Sequence, residues 1–137
     1  MSKNVVCAVI EKFDNNKTKH LLVRVKKDFG KYTGFLQPVG GHIEDGESEK
    51  DALAREIFEE LGVKCEVEEK IATTPLDVAG EVAHWYKCKL ETYAFQVDSN
   101  EISSFEWLTL EQIKNEDKVW PATKNFFTHV LRAHEVR

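Results

Sequence analysis

The chain has 137 residues, with 19 Lys plus Arg against 24 Asp plus Glu, a formal charge of −5, and apolar residues at 42%. A chain of this length closes one core without metal or disulfide staples, and its composition is globular rather than disordered. The acid surplus argues against a protein that holds nucleic acid stably by neutralising phosphates; it leaves open a nucleotide whose phosphates arrive with a metal ion.

Three cysteines, Cys7, Cys65 and Cys88, form an odd set without C-x-x-C spacing. A disulfide framework or structural zinc is not expected, and a reducing, cytoplasmic setting is. The apolar run Val5 to Ile10 is too short for a signal-peptide core or a membrane span. No repeat or linker divides the chain, so residues 1–137 read as a single domain.

That first run is rich in β-branched residues, as a strand buried on both faces would be. Asp14, Asn15 and Asn16 supply turn chemistry before Leu21, Leu22, Val23 and Val25, which predicts a hairpin. A loop from Lys26 to Gly34 leads to Phe35, Leu36, Pro38 and Gly40-Gly41. Ser48 followed by Asp51 resembles a capping box opening a helix to about Leu61, and Gly62 is its stop. Strand character returns at Val63 to Thr73 and Val82 to Val97, with a bulge or turn predicted where the apolar parity flips near Glu91 and Thr92. Phe105, Trp107 and Leu108 predict a short strand, and Thr109 caps a brief helical turn. A last helix starts at Pro121 and buries Phe126, Phe127, Val130 and Leu131. The alternation predicts an α/β fold, a mixed sandwich.

On the first long helix, Leu53, Ile57 and Leu61 recur at helical spacing, and Phe58 is expected to widen that apolar stripe. Glu56, Glu59 and Glu60 fall within an arc of roughly 100°, expected on the opposite side. Three like charges so placed are locally unfavourable unless a cation joins them. Mg²⁺ suits that role, because it takes hard oxygen ligands and bridges protein carboxylates to substrate phosphates.

Gly41, Glu47, Arg55-Glu56-Ile57, Glu59-Glu60 and Gly62-Val63 stand in the spacing of the Nudix box, and the segment GHIEDGESEKDALAREIFEELGV resembles that signature over all of residues 41–63. A chance match at all these positions is on the order of 10⁻⁷. The resemblance, to the MutT-type branch of the Nudix hydrolase family, implies an α/β/α sandwich with a mixed β-sheet. It also implies hydrolysis of a nucleoside diphosphate linked to another moiety, with Mg²⁺ or Mn²⁺.

Carried over by position, Glu56, Glu59 and Glu60 resemble the metal-binding carboxylates, with the Gly41 carbonyl a further ligand. Glu47 and Arg55 brace the box. A polyphosphate repels nucleophiles, a barrier that clustered divalent ions lower, and a carboxylate then takes the proton of the attacking water. Glu59 and Glu101 are both candidates for that base.

Arg24 lies where MutT-type members place a basic residue on substrate phosphates, and Phe35 is a candidate base-stacking platform. Lys26, Lys27 and Lys31 read as solvated loop charges; Tyr32, Trp85, Tyr86 and Trp120 read as core aromatics; His42 and His84 receive no role. The Pro-Gly-Gly lead-in common in the family is stretched to Pro38-Val39-Gly40-Gly41. Thr123 stands where oxidised-guanine hydrolases can place a base-reading Asn, which argues against that preference.

The favoured activity is a nucleoside triphosphate pyrophosphohydrolase releasing nucleoside monophosphate and pyrophosphate. The alternatives are a nucleotide-sugar or dinucleoside-polyphosphate hydrolase, or a nucleotide-sensing module without turnover. The expected partner is a small nucleotide, with no stable nucleic acid, no membrane, and a homodimer left open.

Overall fold

The computed structural model describes residues 3–135. Seven strands form one mixed sheet: β1 (Asn4–Asp14), β2 (Lys17–Val25), β3 (Leu36–Gln37), β4 (Gly40–His42), β5 (Cys65–Pro75), β6 (Val82–Leu90) and β7 (Ile102–Leu108). Helix α1 (Glu49–Leu61) follows β4. Helix α2 (Leu110–Asn115) and a C-terminal helix follow β7; the latter is made of α3 (Pro121–Asn125), a π-helical stretch (Phe126–Leu131) and α4 (Arg132–Glu135).

The main strand path is β3-β2-β1-β6-β5, with β4 on β1 and β7 on β2. Among the described strands only β1 and β6 pair in parallel, from Asn4 opposite Val82 to Ile10 opposite Cys88. The hairpin turn holds Asn15 at φ 51° and Asn16 at φ 61°, the two left-handed residues that a two-residue type I′ turn requires. The hairpin pairs only from Glu11 to Asp14. Nearer its open end the strands part, and β4 fills the fork, with Val5 opposite His42 and Cys7 opposite Gly40. That wedge carries the start of the box into the middle of the sheet.

Alternation along β1 feeds two cores. Val6, Ala8 and Ile10 face α1 with Leu53, Ile57 and Leu61, while Cys7 and Val9 face the C-terminal helix with Trp85, Phe126 and Phe127. The strand is buried on both faces, as its unbroken apolar run predicts, and the result is the α/β/α sandwich. Trp85 stacks on Phe126 at 3.7 Å between ring centroids and nearly parallel, so the π-helical stretch lies against the largest aromatic of that core.

Two expectations need correction. Phe58 is 56% exposed and does not widen the stripe; at about 100° per residue it lies roughly 140° from Leu53. The strand expected to run on to Val97 ends at Leu90, and Tyr93, Phe95 and Val97 lie in irregular chain. That segment caps α1 instead: Gln96 N–H donates to Leu61 O at 2.8 Å and Asp98 N–H to Glu60 O at 3.1 Å, satisfying carbonyls that a helix end leaves free.

Candidate active site

Helix α1 begins where Ser48 Oγ accepts the Asp51 N–H at 3.1 Å. It ends at Gly62, in the left-handed region at φ 70°, which favours Gly, and a Cβ there would lie 2.9 Å from Gln96 O. Between these stops the three candidate metal carboxylates have different surroundings. Glu60 lies about 20° from Leu53 around the helix and is buried, at 6% exposure, beside Ala52, Leu53, Ile57 and Leu61. The acidic arc therefore abuts the apolar stripe instead of opposing it, which corrects the sequence expectation. Glu56 is half-buried, and Glu59 is exposed.

Glu56 and Glu60 both line a cleft of about 750 Å³ at the β1–β4 fork, with Gly40, Gly41, His42, Lys26 and Lys27. Phe29, Asp77, Glu101, Trp120 and Thr123 also line it. A Cβ at Gly41 would sit 2.6 Å from Cδ and Oε1 of Glu56, so the glycine lets the backbone lie directly against that carboxylate. The Gly40 N–H donates to Glu60 Oε2 at 3.3 Å.

Burial, with the Glu56 charge beside it, pushes the Glu60 carboxyl up to about 9. Burial also raises Glu56, and a hydrogen bond from Arg55 opposes that rise. Glu56 and Glu60 form a pair of desolvated oxygen donors, of which Glu56 has a cationic partner in Arg55 and Glu60 has the Gly40 N–H. Hard oxygen donors of this kind fit a divalent ion such as Mg²⁺ or Mn²⁺, which Glu56 and Glu60 would hold.

Arg55 braces the box. Its Nε and Nη2 donate to Glu47 at 2.7 and 2.9 Å, Nη1 to Glu56 at 2.9 Å and to Glu59 at 3.2 Å, and Nη2 to His42 O at 3.2 Å. The paired guanidinium holds Glu47 below its usual range. This fork joins α1, the loop before it and β4, the strand that presents Gly41.

Glu101 reaches the cleft because its own carbonyl accepts the Lys26 N–H at 2.7 Å, while the turn before it closes through Ile102 N–H to Asp98 O at 2.8 Å. Its charge is near enough to contribute to the rise of Glu60. Glu59 is paired to Arg55 on the outer surface and is not among the cleft residues.

Nor do Arg24 and Phe35 line the cleft. The Arg24 guanidinium pairs with Glu106 and bonds Ser104 across β2 and β7, and Phe35 packs edge-on against Tyr32 at 5.3 Å. Among the lining residues that the sequence left without a role are Lys26, Lys27, Phe29, Trp120 and His42. Tyr32 lies against Trp120 at 4.5 Å and Phe29 meets it edge-on at 5.2 Å, while His42 Nε2 lies 2.6 Å from Glu81 Oε2. The consecutive lysines before the box were the available signal; nothing local marks Trp120, which enters from the C-terminal helix.

With this geometry in place, the chain matches the NUDIX domain profile over residues 2–130. It belongs to the Nudix family. The CTP pyrophosphohydrolase of Escherichia coli K12 is 27% identical over 108 residues, 79% of this chain and 76% of that one. The human NAD-capped RNA hydrolase NUDT12 is 33% identical over 96 residues, 70% of this chain but 20% of that much longer protein. Among solved structures, the MutT protein of Methanosarcina mazei Go1 superposes with a TM-score of 0.80 at 20% identity, covering 96% of this chain and 94% of that one. The protein is accordingly a Nudix hydrolase acting on nucleotide derivatives. Among the described residues, no helix is long and apolar enough to cross a membrane.

Proposed function

We propose that this Nudix hydrolase is a Mg²⁺-dependent nucleoside triphosphate pyrophosphohydrolase, releasing nucleoside monophosphate and pyrophosphate. One observation carries the reading: a single cleft gathers Gly41, Glu56, Glu60 and Glu101 with two lysines and an aromatic wall. The similarity to a CTP pyrophosphohydrolase over most of both chains supports a triphosphate substrate.

Gly41, Glu56 and Glu60 would hold the ion, with Glu59 at the outer edge. Once bound, Mg²⁺ supplies charge neutralisation of the polyphosphate and acidifies the attacking water. Lys26 and Lys27 bind the phosphate oxygens as flexible point charges. Trp120, with Phe29 against it, offers the nucleobase a stacking face worth about 1–3 kcal/mol. Glu101 accepts the proton of the attacking water, being a cleft carboxylate outside the box helix whose charge reaches Glu60; Glu59 is held by Arg55 on the outside. Arg55 and Glu47 keep the Gly41 carbonyl and Glu56 in register.

The test is incubation with Mg²⁺ and a panel of nucleoside triphosphates, nucleotide sugars and dinucleoside polyphosphates, with products resolved by chromatography. Monophosphate and pyrophosphate from a triphosphate is the expected result, lost in Glu60→Gln and slowed in Glu101→Gln. Saturable binding without turnover of any compound would instead identify a sensor.

A further inference from the structure

The end of the sheet away from the cleft carries a second group of donor side chains. Register sets Glu11 on β1 opposite His20 on β2, about 13 Å along the strand from the cleft residue Cys7. The last turn of the C-terminal helix adds Glu135. One donor atom from each of Glu11, His20 and Glu135 lies within 4.8 Å of the other two.

His20 is the informative member. It is 1% exposed, and its Nδ1 is buried with no hydrogen-bond partner. That nitrogen points at Glu11 Oε2 from 3.8 Å, too far for a hydrogen bond. The ring is held in place by Phe127, 5.2 Å away between centroids. Desolvation without a partner is unfavourable for any buried polar atom, so such an atom asks for a ligand.

The surrounding charges leave the same gap. Burial keeps His20 below its ordinary pKa against the upward pull of Glu11, which favours the neutral imidazole that ligates metals. Burial and the Glu11 charge hold Glu135 above the usual carboxylate range. Lys87 supplies a cation on one side only, with Nζ 3.3 Å from Glu11 Oε1, so Oε2 is left facing His20. Glu69 and His134, 3.7 Å apart, complete the charged surroundings.

We propose that His20 Nδ1, Glu11 Oε2 and a carboxylate oxygen of Glu135 form a divalent transition-metal site of zinc type, separate from the catalytic cleft. One imidazole and two carboxylates suit Zn²⁺, whose tetrahedral shell takes three protein ligands and a water. Ligand atoms in such a shell lie roughly 3.3 Å apart at metal distances of about 2.0–2.1 Å, so the group must contract. Glu135, exposed on the final turn, is free to move inward. The ion would clip the end of the C-terminal helix to the β1–β2 hairpin, and Lys87 would keep Glu11 Oε1.

The experiment is a calorimetric titration of the full chain with Zn²⁺ in millimolar Mg²⁺, which occupies the cleft carboxylates, together with long-range ¹H–¹⁵N spectra of the histidine rings. The expected result is one equivalent of Zn²⁺ bound with movement of the His20 Nδ1 resonance. In Glu135→Ala, a surface change that leaves folding and nucleotide hydrolysis intact, affinity falls about tenfold or more and the resonance stays put. Equal Zn²⁺ affinity in wild type and Glu135→Ala, a shift confined to His42 at the cleft, or no binding beyond the Mg²⁺-protected sites overturns the proposal.

Discussion

Glu60 is a carboxylate in a core position, and its burial creates a conflict that a bound divalent ion would resolve. Its folded pKa, about 9, stands above the unfolded value of about 4.5. The folded state therefore keeps a proton that the unfolded chain releases. Stability of the metal-free protein is greatest at low pH for this group and falls as pH rises from about 4.5 to about 9. Urea unfolding in chelator across that range should show the decline, and Glu60→Gln should flatten it while lowering turnover by about 10²-fold or more. Arg55 poses the opposite case, a cation with five acceptor contacts. Arg55→Ala should cost about 2 kcal/mol in denaturant unfolding and reduce turnover as well. Arg55→Lys should recover little of either, because an ammonium cannot reproduce the fork on Glu47.

Helix α1 was legible in outline from Ser48, Gly62 and the Leu53, Ile57, Leu61 spacing, because caps and apolar period are local properties of a chain. Ser48→Ala should lower stability by about 1 kcal/mol without altering turnover, read from thermal melts and assays of the same preparation. Two neighbouring apolar residues of the helix differ sharply under mutation. Ile57→Ala, fully buried, should cost about 2–5 kcal/mol, and Phe58→Ala should stay within about 0.5 kcal/mol. Residues Glu91 to Asn100 were harder to read. Tyr93, Phe95 and Val97 alternate as a strand would, yet Tyr93 and Phe95 pack edge-on and stacked against Trp107, and backbone groups of the segment bond the end of α1. Period-two spacing reports which side chains seek apolar contact, and a loop laid over a sheet satisfies it as well as a ladder does.

Charge at the scale of the molecule is divided unevenly. Residues 41–63 carry eight acidic and two basic side chains, a net of −6, and the remaining 114 residues carry a net of +1. Mg²⁺ should therefore stabilise the folded chain, which gathers these carboxylates, over the unfolded one, which does not. Melting temperature should rise with added Mg²⁺ and fall on chelation in the wild type, with a smaller response in Glu60→Gln. The box, the helix that bears it, the chemistry of its carboxylates and the two-sided burial of β1 were all written in short-range order: residue type, spacing and the geometry of a single helix or strand carry them. Which carboxylate is buried against the core, which faces the cleft with Glu101, and whether the cations lining the cleft are Arg24 or Lys26 and Lys27 depend on packing between distant segments. Arg24 turned to Glu106 because β7 lies beside β2, and Trp120 reached the cleft because the segment leading into the C-terminal helix pairs with β3, where Leu36 bridges Val119 and the Trp120 N–H donates to Leu36 O at 3.1 Å. Contacts of that kind are set by the sum of weak interactions across the whole fold, and no window of sequence contains them.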